Sequence, residues 1–401
     1  MTHLGNFDLG IVGGGIVGLA TAYQAILAQP DRRIVLLEAE SSVGKHQSGH
    51  NSGVLHSGIY YKPGSLKATL CRDGKSMMES FCRDHDVPFD RCGKVIVATN
   101  AAEVESLDRI EQRGIANGVQ LSRITADQLH RLEPAAAGIA AIHVPETGIV
   151  DYHAVCDRLR QRIESIGVTV RTAARVTRIE TSSVALRITA GDQTVDVSQL
   201  ISCAGLQADR IFRLAGGTTT SRIIPFRGEY YELIPSRHSL CRNLIYPVPD
   251  PSFPFLGVHF TRMIGGGVEC GPNAVLALSR HGYRWRDVNP RDLVETIAFG
   301  GFRTIARKHW RMGMGEIWRS VNKRAFVAAL QKLIPSIQAA DLVTGRAGVR
   351  AQAVDASGNL VDDFLIERTA RAIHVLNAPS PAATASLAIG KEIMELAQLP
   401  R

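Results

Sequence analysis

The stretch Phe7-Asp8-Leu9-Gly10-Ile11-Val12-Gly13-Gly14-Gly15-Ile16-Val17-Gly18, followed by an alanine-rich run and by Ile34-Val35-Leu36-Leu37-Glu38, decides the fold. Leu9, Ile11 and Val12 read as a buried parallel strand, and glycine follows wherever a side chain would hold a phosphate off the backbone. Gly13 permits the tight turn, Gly15 admits a pyrophosphate to the main chain, and Gly18 lets the helix lie close on the strands. Ile16 and Val17 open that helix, so its N-terminus faces the negative charge. Glu38 closes the second strand, with Ala39 after it, where a carboxylate accepts hydrogen bonds from a ribose. Strand, loop, helix, strand and terminal acid in this order predict a dinucleotide site. A glycine-rich turn in an ordinary α/β domain is the plainer alternative.

A chain of 401 residues with 45% hydrophobic and 21% charged residues can build two cores, and is neither disordered nor fibrous. Its net charge of +8 is spread along the chain without a nucleic-acid motif, so acidic small molecules or an anionic membrane suit it better than RNA or DNA. Seven cysteines without a CxxC pair suit a reducing compartment and give neither a disulfide framework nor a metal site. No apolar run reaches the ~18 residues a bilayer span needs. With no signal-like segment before the first strand, cytosolic residence is the expectation.

Beyond Glu38, the polar loop from Ser41 carries Gln47, Ser48, Asn51, Ser52 and Gly53, whose small hydroxyl and amide groups can bond a cofactor edge, and then His56, a candidate base. An isolated loop histidine is more often a hydrogen-bonded structural group than a base. Helices are expected over 68–86, 102–114, 126–132 and 154–166, with strands at 93–99, 168–170 and 174–179. A hairpin-like pair, 184–188 with 194–197, leads to a separate strand 199–205 ending in Ala204-Gly205. From Ile223 to Thr261 the pattern alternates as in an antiparallel sheet with one wet face. Phe299 to Lys332 interleaves Trp310, Trp318 and Phe326 with Arg303, Arg307, Arg311 and Arg319, either as an ordinary solvated helix pair or as a surface that docks on anionic lipid. At the C-terminal end, strand 373–376 runs into Ser380-Pro381-Ala382-Ala383-Thr384 and a helix, a second N-terminus that attracts anions.

A dinucleotide loop at one end of the chain and a strand-loop-helix unit at the other predict an α/β two-domain flavoprotein. In this reading a Rossmann-like FAD-binding domain is assembled from 1–88, 145–220 and 341–401. A mainly antiparallel β-sheet substrate domain with covering helices takes 89–144 and 221–340. The chain resembles the L-2-hydroxyglutarate oxidase/dehydrogenase family of the D-amino-acid-oxidase-like flavoproteins. The likeness rests on Gly13–Ala22, Asn51–Tyr61, Gly257–Thr261, Ala347–Gln352 and Asn377–Thr384. It implies oxidation of L-2-hydroxyglutarate to 2-oxoglutarate with hydride transfer from C2 to flavin N5, and electrons passed to a membrane quinone. His56 or His259 would be the base, Arg350 and Arg227 would hold the two carboxylates, and Tyr246 would donate a hydroxyl. Val176, Ala204, Gly205, Gly348 and Arg350 complete the expected cofactor contacts. No cysteine or histidine is dedicated to covalent flavin attachment. Each arginine could instead be a structural ion pair. The rival readings are a related flavoenzyme acting on glycerol 3-phosphate or an amino acid with oxygen or quinone as acceptor, a tRNA-modifying flavoprotein, and a nucleotide sensor.

Overall fold

In the computed structural model, Leu9–Val12 pair in parallel with Ile34–Leu37, and all eight residues are buried, which is why this part of the chain reads as apolar on both faces. The structure describes residues 1–250 and 256–398. Residues 251–255 and 399–401, within the stretches assigned above to the substrate and cofactor domains, lie outside it.

Thr2–Val12 lies at the centre of an eight-stranded sheet, between Ile34–Leu37 and Gln193–Ser202, all parallel. Thr169–Arg171 extends one side in parallel. On the other side Gln193–Ser202 takes up Ala372–Asn377, so both chain ends meet in one sheet. Gln193–Ser202 is one ten-residue strand where the sequence suggested two, because it pairs from end to end with Thr2–Val12 on one edge, and on the other first with Leu186–Ala190 and then with Ala372–Asn377. One face is covered by the helices Ile16–Ala28, Leu66–Asp84, Tyr152–Ser165 and Ala382–Gln398. A side chain at Gly390 would come within 2.8 Å of the Ala20 backbone, and this close approach seats the last helix on the first.

The second sheet has nine strands, antiparallel except where Leu244–Pro247 pairs with Lys94–Ala98. Arg222–Leu233 pairs along its length with Leu342–Val354, a strand the sequence boundaries put on the cofactor side. Val268–Gly271, Val275–Leu276, Leu365–Arg368 and the helix Pro290–Ala298 were not foreseen; three of the four are too short to show a period. The basic stretch forms three helices, Gly300–Lys308, Trp310–Val321 and Lys323–Leu330, rather than a pair. Among the described residues no helix is long and apolar enough to cross a membrane.

Candidate functional site

The glycine loop is built around two close approaches. Gly13 has φ +109°, and a Cβ there would lie 2.4 Å from the Cys203 carbonyl oxygen. A Cβ on Gly18 would lie 1.9 Å from the Gly13 oxygen, so the helix packs directly on its own loop. Gly15 lines the cavity that opens from this loop, and its would-be Cβ meets only Ser48 Oγ, at 3.4 Å. Here the cradle of bare backbone at the start of a 13-residue helix fits a dinucleotide phosphate. Glu38 is buried, accepting from the Gly14 N–H through Oε2 (2.6 Å) and from the Glu40 N–H through Oε1 (2.8 Å). It braces the loop, and each oxygen keeps a lone pair for a ribose.

A cavity of about 510 Å³ opens from this cradle between the two large sheets. It is lined by Gly15, Ile16, Val17, Gln47, Ser48, Asn51, Ser52, Gly205, Gly348, Arg350 and Ser380 to Thr384 from the expected cofactor set. His56, His259, Arg227, Tyr246 and again Arg350 line it from the expected catalytic set. Gly13, Gly18, Glu38, Ala39, Gly53, Val176 and Ala204 do not. Gly13 and Gly18 are spent on packing, and Val176 belongs to the core on the far side of the eight-stranded sheet, with Ala204 packed against it. The loop amides and hydroxyls are also partly committed. Ser48 Oγ accepts from the Ile16 N–H (2.9 Å), and the Asn51 amide bonds the Gln47 and Ser48 carbonyls and the Gly53 N–H. Gln47 Oε1 accepts from the Ala351 N–H (2.9 Å), tying this loop to the strand that carries Arg350.

His56 is held by its backbone. Its N–H donates to Thr384 Oγ1 (3.2 Å), which lies 2.9 Å from the Tyr152 hydroxyl, and its carbonyl accepts from the Cys71 thiol. Its ring bonds no described residue, and burial, reinforced by the charge of Lys94, pushes its pKa down to about 3. His259 donates Nδ1–H to the Gly257 carbonyl (2.9 Å), since a carbonyl can only accept, leaving the Nε2 lone pair available. Burial lowers it to about 4, and its ring packs against that of Tyr246, tilted by 39° with centroids 4.0 Å apart. Both imidazoles are therefore neutral near pH 7.

Arg227 is fully buried. Nε and Nη2 bond Glu229 Oε1 (3.1 and 2.8 Å), its plane lies over Trp285, and Nη1 has no partner among the described residues. Arg350 is exposed and lines the cavity; protein packs around it closely enough that burial lowers its pKa. Asn273 and Tyr230 also line the cavity, and nothing in their sequence surroundings marked them. Tyr60, half-buried with an unpartnered hydroxyl, stood in the motif after His56 without a role. Beside the cofactor loop Glu40, His46 and His281 converge, but Arg175, Tyr283 and Gln207 already engage them.

A family model described as FAD dependent oxidoreductase matches residues 8–396. An L-2-hydroxyglutarate dehydrogenase from Indibacter alkaliphilus is 50% identical over 98% of this chain and 99% of its own length. The enzyme of that name from Escherichia coli K12 is 44% identical over 98% and 93%. Among solved structures, an L-alpha-glycerophosphate oxidase from Mycoplasma pneumoniae with FAD bound superposes with a TM-score of 0.80 at 22% identity, over 98% of this chain and 95% of its own. A glycine oxidase from Geobacillus kaustophilus gives 0.73 at 17%, over the same shares.

Proposed function

The chain belongs to the FAD dependent oxidoreductases and, within them, to the L-2-hydroxyglutarate dehydrogenase family, and from that premise we propose that it oxidises L-2-hydroxyglutarate to 2-oxoglutarate. The observation that carries this reading is the convergence, on one cavity opening from a dinucleotide cradle, of two neutral imidazoles and two guanidiniums. FAD, held non-covalently, supplies the acceptor for the hydride that leaves C2. The chain supplies the rest. Gly15, Ile16 and Val17 would hold the pyrophosphate at a helix N-terminus, and Ser380 to Thr384 bring a second helix start to the cavity. His56 takes the proton of the C2 hydroxyl, Arg350 and the spare Nη1 of Arg227 hold carboxylates, and Tyr246 offers a hydroxyl. We assign the eight-stranded sheet and its helices to the cofactor and the nine-stranded sheet to the substrate.

The test is anaerobic mixing of the FAD-loaded protein with L-2-hydroxyglutarate, its D-enantiomer, glycerol 3-phosphate and glycine, followed by flavin absorbance. Bleaching by the L-enantiomer alone is expected; bleaching by another substrate and not by it would sink the assignment. Glu38→Ala is expected to weaken FAD binding on the order of 10-fold by loosening the loop, measured by titrating apoprotein with FAD.

We propose further that a membrane quinone accepts the electrons and that the basic stretch rests on the lipid surface. Trp310, Met314, Ile317, Trp318 and Val321 fall on one helical face, and all are exposed, Trp310 and Trp318 by 60% and 59%. A solvated covering helix would turn that stripe inward, as Phe326 is turned. Exposed Arg303, Arg307, Lys308 and Arg311 flank it, the composition of an interfacial helix on anionic lipid. Trp310→Ser/Trp318→Ser is expected to lower binding to phosphatidylglycerol vesicles about 10-fold; equal sedimentation of parent and variant, or equal binding to phosphatidylcholine, would refute the lipid contact.

A further inference from the structure

Four cations are buried among the described residues: Lys75, Lys94, Arg227 and Arg280. Three have carboxylates against them, Lys75 with Glu79 at 2.8 Å, Arg227 with Glu229 at 2.8 Å, and Arg280 with Asp209. Lys94 has none. It opens a central strand between Val144 and Leu244, 1% exposed, with its ammonium 4.6 Å from the ring centroid of Tyr60 and 5.2 Å from that of Tyr246. Ring faces compensate only a small part of the cost of desolvating a charge. An apolar side chain of the same length would serve packing better, so the fold alone gives no reason for a lysine here. Both rings line the cavity that His56 and His259 also line, and the Tyr246 ring lies 4.0 Å from that of His259.

We propose that Lys94 is a positioning residue that makes this end of the cavity electropositive and thereby selects a doubly anionic substrate, acting through the Tyr60 and Tyr246 rings that separate it from the ligand. The inference rests on the dicarboxylate reading above. In a low-dielectric site a charge one ring away still acts on an anion. The groups around it leave the field positive. Tyr60, Tyr246 and the Cys71 thiol face the ammonium, all three held protonated by burial, while the charges bearing on His56 are Lys94, Arg350 and Lys67, with His259 beside them.

Burial brings the Lys94 pKa down to about 7, so the ammonium is present below that pH and lost above it. A dianion binds the charged form, so KM should rise as pH passes about 7. Lys94→Met and Lys94→Arg are compared with the parent, FAD-loaded, for KM and kcat with L-2-hydroxyglutarate and a dye acceptor from pH 6 to 9. Lys94→Met is expected to raise KM at pH 6 by on the order of 10- to 100-fold, to change kcat far less, and to abolish the rise with pH. Lys94→Arg, whose charge persists, is expected to keep a low KM to pH 9. Lys94→Met with the parent's KM and pH profile would overturn the proposal. So would a Lys94→Met protein that melts well below the parent, because the charge would then be structural. A parent that turns over no L-2-hydroxyglutarate would instead overturn the reading beneath it.

Discussion

His56→Asn is expected to leave the protein folded and yellow while slowing its anaerobic reduction by L-2-hydroxyglutarate by about 10²- to 10⁴-fold, the usual contribution of a positioned base. Retention of FAD follows from how the residue is fixed. Its N–H and carbonyl make the hydrogen bonds to Thr384 and Cys71, and the ring makes none among the described residues, so removing the ring breaks none of these bonds. The pH dependence has a definite sign. With a pKa depressed to about 3, His56 is in its base form throughout the neutral range, so kcat/KM should be flat on the acid side of neutrality and fall only below about pH 4. A limb near 6.5 would mean that the imidazole is far more hydrated than its surroundings suggest. A His56→Asn protein reduced at the parent rate would transfer the role to His259, whose Nε2 is already freed by the bond from Nδ1 to Gly257.

What was legible in the sequence was what short-range backbone geometry dictates. Gly18 could be assigned because the helix packs on the Gly13 carbonyl five residues back, and Gly13 because the turn needs a positive φ; the Cys203 carbonyl that also excludes a Cβ at Gly13 comes from a distant strand end. The site was legible as a set of residue types, and the five catalytic candidates line one cavity, but how each is held was not. Glu229, which occupies most of Arg227, is only two residues away, yet no spacing rule says that it turns back. Val176 and Ala204 were expected at the cofactor; both pack in the opposite layer of the sheet, Val176 because of its hairpin register with Leu186–Ala190. Lys94 stood in plain view as a charge opening an apolar strand. Its meaning depends on no carboxylate among the described residues pairing with it, which is a property of the fold and not of the strand.

Arg350→Met is expected to lower kcat/KM for L-2-hydroxyglutarate by about 10²- to 10³-fold, roughly 3–4 kcal/mol, the cost of removing one partner of an enclosed charge-assisted pair. Arg350 stands opposite Phe226 in the pairing of the two longest strands of the nine-stranded sheet, so its backbone is rigid, and its side chain lines the cavity. Burial lowers its pKa, but from so high a starting value that the guanidinium remains charged. Arg350→Lys should recover only part of the loss, because an ammonium restores the charge and not the planar fork that grips a carboxylate with two parallel bonds. The contrast with Lys94 lies in the pH profile. Arg350 keeps its charge near neutrality, so Arg350→Met should raise KM at every pH and leave the rise above about pH 7 in place, whereas Lys94→Met removes that rise. Arg350 lines the cofactor end as well, and FAD content measured on the same preparations separates the two roles. Full occupancy with collapsed kcat/KM assigns the guanidinium to the substrate; an apoprotein restored to parent kinetics by excess FAD would assign it to the cofactor and leave Arg227 Nη1 as the carboxylate's partner.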